Sequence, residues 1–168
     1  MGFSLILGGA RSGKSAYALR EAEAAGGPLV MIATAEALDG EMSARIARHQ
    51  AERGPTWRTV EAPIYLAPAI AALGSGDCAV VDCLTLWVSN LLMRGVTVSE
   101  KTDDLIAALK ACPARLWLIS NETGLGIVPE NALARRFRDE TGRLHQRLAV
   151  EADRVVMIVA GLPLNLKG

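Results

Sequence analysis

Eight residues near the start of the chain constrain it more than any other feature. Gly8-Gly9-Ala10-Arg11-Ser12-Gly13-Lys14-Ser15 fits G-x-x-x-x-G-K-[ST] without a mismatch. Glycines let such a loop fold tightly, so that its N–H groups point at phosphate oxygens. Lys14 then reaches the β- and γ-phosphates, and the Ser15 hydroxyl binds Mg²⁺. The apolar run Ser4–Leu7 precedes the loop and the helix-compatible run Lys14–Ala25 follows it. A phosphate held between them lies at a helix N-terminus, where unpaired N–H groups and the helix dipole favour anions. Gly8 to Ser15 is therefore read as a nucleotide-phosphate cradle between a strand and a helix.

The rest of the chain repeats that alternation. Strand-like runs lie at Ser4–Leu7, Leu29–Ala33, Trp57–Val60, Cys78–Val81, Leu116–Ser120 and Val155–Ala160. Most are continuously apolar, as befits strands covered on both faces of a parallel sheet. Helix-compatible segments lie at Lys14–Ala25, Glu41–Arg53, Leu84–Met93, Ser99–Ala111 and Leu133–Ala152, and Gly26-Gly27-Pro28 stops the first. The pattern reads as a single α/β domain over 1–168, with helices flanking a mainly parallel central sheet. Ala62–Asp77 fits no element clearly. Asp82 ends the run Cys78–Val81, the position of a carboxylate that holds the metal in phosphate-loop proteins; an acid after four apolar residues is also an ordinary helix cap.

Composition narrows the functions open to such a domain. Lysine plus arginine and aspartate plus glutamate number 18 each, so the chain lacks the basic excess of a general nucleic-acid or anionic-membrane binder. The longest apolar runs, such as Val155–Leu164, are half the ~20 residues that span a bilayer. The first residues lack a basic region ahead of a long apolar stretch, and Ile6 stands where a myristoylation signal has Ser or Thr. Cys78, Cys83 and Cys112 show no CxxC spacing, which reads as reduced thiols in a cytoplasmic protein with no membrane insertion. No Asn-Lys-x-Asp segment reads a guanine base. On these features alone, a small kinase and an ATP-driven binding module both remain open.

The histidines add a second clue. His49 lies in the segment Glu41–Arg53, in a row of Glu41, Arg45, His49 and Arg53 at i, i+4 spacing. Spacing alone fits a salt-bridged surface row as well as a chemical role. In order along the chain, however, Gly8–Ser15 worded GGARSGKS is followed by Ile32-Ala33-Thr34, Glu41-Met42, Arg45-Ile46 and His49. Trp57-Arg58-Thr59-Val60-Glu61, Asp82-Cys83-Leu84-Thr85 and Asn90 come next. Ser120-Asn121-Glu122-Thr123-Gly124, Gly126–Asn131, Phe137-Arg138-Asp139 and Gly161-Leu162-Pro163-Leu164 complete the series. Together these resemble the bifunctional adenosylcobinamide kinase/adenosylcobinamide-phosphate guanylyltransferases across nearly the whole chain.

The resemblance implies a RecA-like P-loop NTPase fold, a homotrimer and two reactions of cobalamin biosynthesis. Adenosylcobinamide is first phosphorylated on its aminopropanol hydroxyl from ATP or GTP. GMP is then transferred from GTP to that phosphate through a covalent GMP–histidine, leaving adenosylcobinamide-GDP and pyrophosphate. His49 aligns with the histidine, and Lys14 joins it as a catalytic residue. Gly8, Gly9, Ala10, Arg11, Ser12, Gly13, Lys14 and Ser15 are the nucleotide cradle. Ala33, Thr34 and Ala35, then Gln50, Ala51, Glu52 and Arg53, and also Glu61 and Asp82 align with further nucleotide contacts. Ser15 and Asp82 are the Mg²⁺ ligands. By residue type alone Ala51 is equally a helix filler and Glu61 a strand-end charge. The chain departs from the family at His145, where relatives are expected to have asparagine; this second imidazole is a rival nucleophile in principle, and its place on the long Leu133–Ala152 helix favours a structural or surface role. A kinase lacking the guanylyl step and a RecA-like nucleotide-dependent binding module are the alternatives.

Overall fold

The computed structural model describes residues 2–36 and 56–168. The expected helix Glu41–Arg53 lies outside them, with His49, Gln50, Ala51, Glu52 and Arg53. The described elements are β1 (Phe3–Gly8), α1 (Lys14–Ala25), β2 (Leu29–Ala33), β3 (Trp57–Glu61) and α2 (Leu66–Ala71), then β4 (Cys78–Asp82) and α3 (Leu84–Met93). The chain continues through α4 (Val98–Ala111), β5 (Arg115–Asn121), α5 (Ala132–Glu151), β6 (Arg154–Val159) and β7 (Leu162–Lys167). They build one seven-stranded sheet in the order β3-β2-β4-β5-β1-β6-β7. All neighbours are parallel except β6 and β7.

The continuously apolar strands are explained by a sheet covered on both faces. Ile6, Met31, Val80, Ile119 and Ile158 pack against Tyr17, Ala18 and Ala22 of α1 on one face. Leu5, Leu7, Val30, Ile32, Val81 and Leu118 pack with residues of α2 to α5 on the other, including Leu66, Trp87, Leu105 and Leu148. Because the register is parallel, every strand from β3 to β6 delivers its C-terminal end to the same edge. Glu61 lies beside Ala33, Ala33 beside Asp82, and Gly8 beside Asn121. That edge is where an open α/β sheet binds its ligands.

Two elements were not anticipated. The unplaced stretch Ala62–Asp77 contains α2, a helix of six residues that is too short for a periodic signal and carries Pro68 inside it. The apolar run Val155–Leu164 is two strands: Ala160 (φ 51°) and Gly161 (φ 81°) form a two-residue turn between paired Val159 and Leu162. Both φ values are positive, as a type I′ hairpin turn requires. An Ala-Gly pair is a weak signal for that turn beside Asn-Gly or Asp-Gly, and Pro163 argues against a central strand. β7 accommodates the proline because it is the edge strand.

Candidate active site

At the end of β1 the chain has no room for a side chain. A Cβ built on Gly8 would stand 2.5 Å from Ser12 Oγ and 2.7 Å from the Ile158 carbonyl oxygen. Five residues on, Gly13 has φ 98° and heads α1, where its carbonyl accepts the first helical bond from Tyr17 N–H at 2.9 Å. A positive φ of that size strains any residue with a Cβ. Between them Ser12 N–H donates to Gly9 O at 3.3 Å, and the buried Lys14 ammonium donates to the same oxygen at 3.0 Å. The β6–β7 turn holds the loop from outside, with Gly161 N–H donating to Ser12 O at 2.8 Å. The loop is thus a closed backbone ring at a helix N-terminus, with one cation inside it.

The next strand but one supplies an acid. Ser15 Oγ donates to Asp82 Oδ2 at 3.0 Å. A hydroxyl and a carboxylate oxygen at that separation fit adjacent corners of a Mg²⁺ octahedron, whose edge is about 3.0 Å for bonds of about 2.1 Å. Among the described residues no cluster of three or more histidine, cysteine or carboxylate ligands exists. Mg²⁺ is well matched to such a sparse set of hard oxygens, because it keeps waters and takes phosphate oxygens as ligands.

Asp82 is fixed from below by buried hydrogen bonds. Thr34 Oγ1 donates to Cys83 O at 2.7 Å and accepts from Cys83 N–H at 2.8 Å, while Thr34 N–H donates to Asp82 O at 3.2 Å. Asn90 Nδ2 donates to Thr34 O at 2.8 Å and to Pro63 O at 3.0 Å, tying the segments that follow β2 and β3 to α3. Thr85 Oγ1 lies 3.0 Å from Cys83 Sγ and accepts from Asn121 Nδ2 at 3.2 Å, which extends the tie to β5. Burial, and then the Asp82 charge, push the Cys83 thiol above its usual range, so it is neutral and no nucleophile near neutral pH.

Comparison with known proteins decides which phosphate-loop enzyme this edge serves. The model of the family "Cobinamide kinase / cobinamide phosphate guanyltransferase" matches residues 4–166. The bifunctional adenosylcobalamin biosynthesis protein CobP of Pseudomonas aeruginosa is 50% identical over 98% of this chain and 96% of its own. CobU of Salmonella typhimurium, also named a bifunctional adenosylcobalamin biosynthesis protein, is 43% identical over 97% of this chain and 98% of its own. The chain belongs to this family. It is therefore a transferase with the two activities in the family's name, cobinamide kinase and cobinamide phosphate guanylyltransferase.

Solved structures show the same fold at low identity. The P4 protein of bacteriophage phi6, solved with ADP, superposes with TM-score 0.53 at 14% identity over 97% of this chain. The chain spans 54% of that protein's length. The RadB recombinase superposes with TM-score 0.50 at 13% identity, over 93% of this chain and 73% of its own. Both likenesses speak for the RecA-like P-loop fold alone.

Within this family member, the structure gathers the residues expected from the sequence unevenly. Gly8 to Ser15, Ala33 to Ala35, Glu61 and Asp82 share the C-terminal edge. Thr34 has no exposed surface and its hydroxyl is bonded on both sides to Cys83, so its side chain braces the site rather than lining it. His145 lies inside α5, with Nε2 2.7 Å from Ser120 Oγ, and burial holds its pKa below the usual 6.5 against the opposing Glu122 charge. Gly161 and Thr85 carry no individual signal as site residues in the sequence. Each acts through a backbone or cross-strand bond that no linear spacing encodes.

Proposed function

We propose that this chain carries out both transfers at the one phosphate loop, with His49 as the guanylyl carrier. In the first reaction the aminopropanol hydroxyl of adenosylcobinamide attacks the γ-phosphorus of ATP or GTP, and the nucleoside diphosphate leaves. The loop N–H groups and the Lys14 ammonium stabilise the charge that gathers on the leaving oxygens. In the second reaction a neutral imidazole nitrogen of His49 attacks the α-phosphorus of GTP and pyrophosphate departs. An oxygen of adenosylcobinamide phosphate then displaces the histidine, forming the new P–O–P link. Splitting one transfer into two displacements lowers each barrier. Imidazole suits the task because it is largely unprotonated at neutral pH.

Ser15 and Asp82 would hold Mg²⁺, which when bound would neutralise negative charge on the nucleotide phosphates. The observation that carries the reading is the family match over residues 4–166, joined to a closed phosphate loop whose Ser15 faces Asp82 at 3.0 Å. Gly8 to Lys14, Ala33, Ala35, Gln50 to Arg53 and Glu61 are proposed as nucleotide contacts, with Thr34 bracing the site from below. The protein is proposed to be cytoplasmic and homotrimeric. β7 presents Leu162, Leu164 and Leu166 at an open sheet edge, which favours self-association.

The decisive test needs no corrinoid. Wild-type protein and the His49→Ala and His145→Ala variants are incubated with Mg²⁺ and GTP labelled on the α-phosphate, then denatured. Label should remain on the wild type and the His145 variant, leave in mild acid as an N–P bond does, and be absent from His49→Ala. The His49 variant should still phosphorylate adenosylcobinamide. Label persisting without His49 would assign the nucleophile elsewhere; none on the wild type would leave a kinase alone.

A further inference from the structure

The phosphate loop has a neighbour on the same edge. β5 ends at Asn121, and the next residue, Glu122, donates its N–H to Gly8 O at 2.9 Å. The segment from Glu122 to Asn131 therefore starts against the phosphate loop itself. Its tip carries three aliphatic side chains in solvent: Leu125 is 81% exposed, Ile127 97% and Val128 61%. Such a cluster on a loop is costly to leave in water and calls for an occupant.

Side chains of α5 hold this loop by its carbonyls. Arg138 Nη2 donates to Gly124 O at 2.6 Å, and Arg135 Nη1 donates to Pro129 O at 3.0 Å and to Glu130 O. The Glu122 carboxylate accepts the Gly124 N–H, and Asn131 Oδ1 caps α5 by accepting Ala134 N–H at 3.0 Å. Two guanidinium groups gripping neutral carbonyls shape the loop while leaving its aliphatic tip uncovered. A surface set in advance binds at lower entropic cost.

Resting on the function proposed above, we infer that Leu125, Ile127 and Val128 form the platform that receives the corrin macrocycle of the acceptor. The argument is positional and chemical. The hydroxyl that attacks the nucleotide must approach over the edge where the phosphate loop opens, and the Glu122–Asn131 loop begins beside Gly8. The acceptor is a broad ring with apolar faces and amide side chains, far too large for the phosphate loop. It must rest on adjoining surface that offers aliphatic contact. A second copy of the chain is the rival occupant, but it has a better seat elsewhere. β7, two strands beyond β1, offers alternating leucines together with an unpaired strand edge.

The test compares Leu125→Ser/Ile127→Ser with Val150→Ser, which removes an exposed aliphatic group from α5 and serves as control. Kinase assays give KM for adenosylcobinamide and for ATP, and gel filtration gives the assembly state. The loop variant should raise the corrinoid KM by about tenfold or more, the loss expected for two aliphatic contacts. The KM for ATP, GMP labelling and assembly should stay as in the wild type and the control. An unchanged corrinoid KM, or a KM rise accompanied by dissociation of the assembly, overturns the assignment. A wild type that labels with GMP yet never phosphorylates adenosylcobinamide would bring down the substrate reading first, and this one with it.

Discussion

Two loops leave the same edge of the sheet, and they are shaped by opposite means. The phosphate loop is shaped by missing side chains. Gly8 leaves space for Ser12 and for the Ile158 carbonyl, and Gly13 takes a φ of 98°. Its cation, Lys14, bonds a carbonyl of the loop's own turn. The Glu122–Asn131 loop is shaped by long side chains from a helix, Arg135 and Arg138, which hold its carbonyls from outside. In the first case the cation lies inside the ring proposed to receive phosphate. In the second the cations lie behind the loop and its apolar tip faces solvent. The same chemical bond, a cation donating to a backbone carbonyl, thus belongs to the proposed catalytic group in one loop and to a brace in the other.

If that distinction holds, removing the inner cation costs far more than removing an outer one. Lys14→Ala should reduce both the kinase and the guanylyl reactions by roughly 10²–10³-fold, the usual loss for one group that stabilises developing charge. Steady-state rates with saturating acceptor would measure it. A variant impaired in only one reaction would mean that the two transfers use different phosphate sites. Arg138→Gln should act more gently and on the other substrate. Losing one charge-assisted bond, worth about 1–2 kcal/mol, should raise the adenosylcobinamide KM some five- to thirtyfold. The ATP KM should not move. A shift in the ATP KM instead would show that the two loops act as a single unit.

The contrast also explains what the sequence made legible. Glycines and a lysine at fixed spacing are a linear signal, because the ring they form is local. Strands such as Leu29–Ala33 and Cys78–Asp82 were legible because a sheet covered on both faces demands unbroken apolar runs. Asp82 was legible as a strand-end acid, and its partnership with Ser15, 67 positions away, needed the fold. Arg138 and Gly124 stand 14 residues apart across a helix cap, and nothing in the spacing announces the bond between them. The Thr34–Cys83–Thr85–Asn121 brace is likewise assembled by three strands and a helix. β7 was missed because Pro163 speaks against a strand unless the strand is known to be at an edge.

The smallest expected effect lies behind both loops. His145 and Ser120 join α5 to β5 one residue before Asn121, so this bond supports the junction from which the outer loop starts. His145 is buried, and desolvation holds its pKa below the usual 6.5, with Glu122 pulling the other way. A histidine whose pKa is depressed by folding binds fewer protons in the native state than in the unfolded chain. Its contribution is therefore fully present above pH 6.5 and is lost as the pH falls through the lower native value. Urea unfolding of the wild type should show the midpoint falling as the pH drops below 6.5. In His145→Asn, which keeps a hydrogen-bonding side chain without the titration, that part of the slope should flatten while the midpoint at pH 8 changes little. Equal slopes in the two proteins would mean that His145 stays protonated or solvated in the native state, and that the junction beneath the outer loop owes nothing to a neutral imidazole.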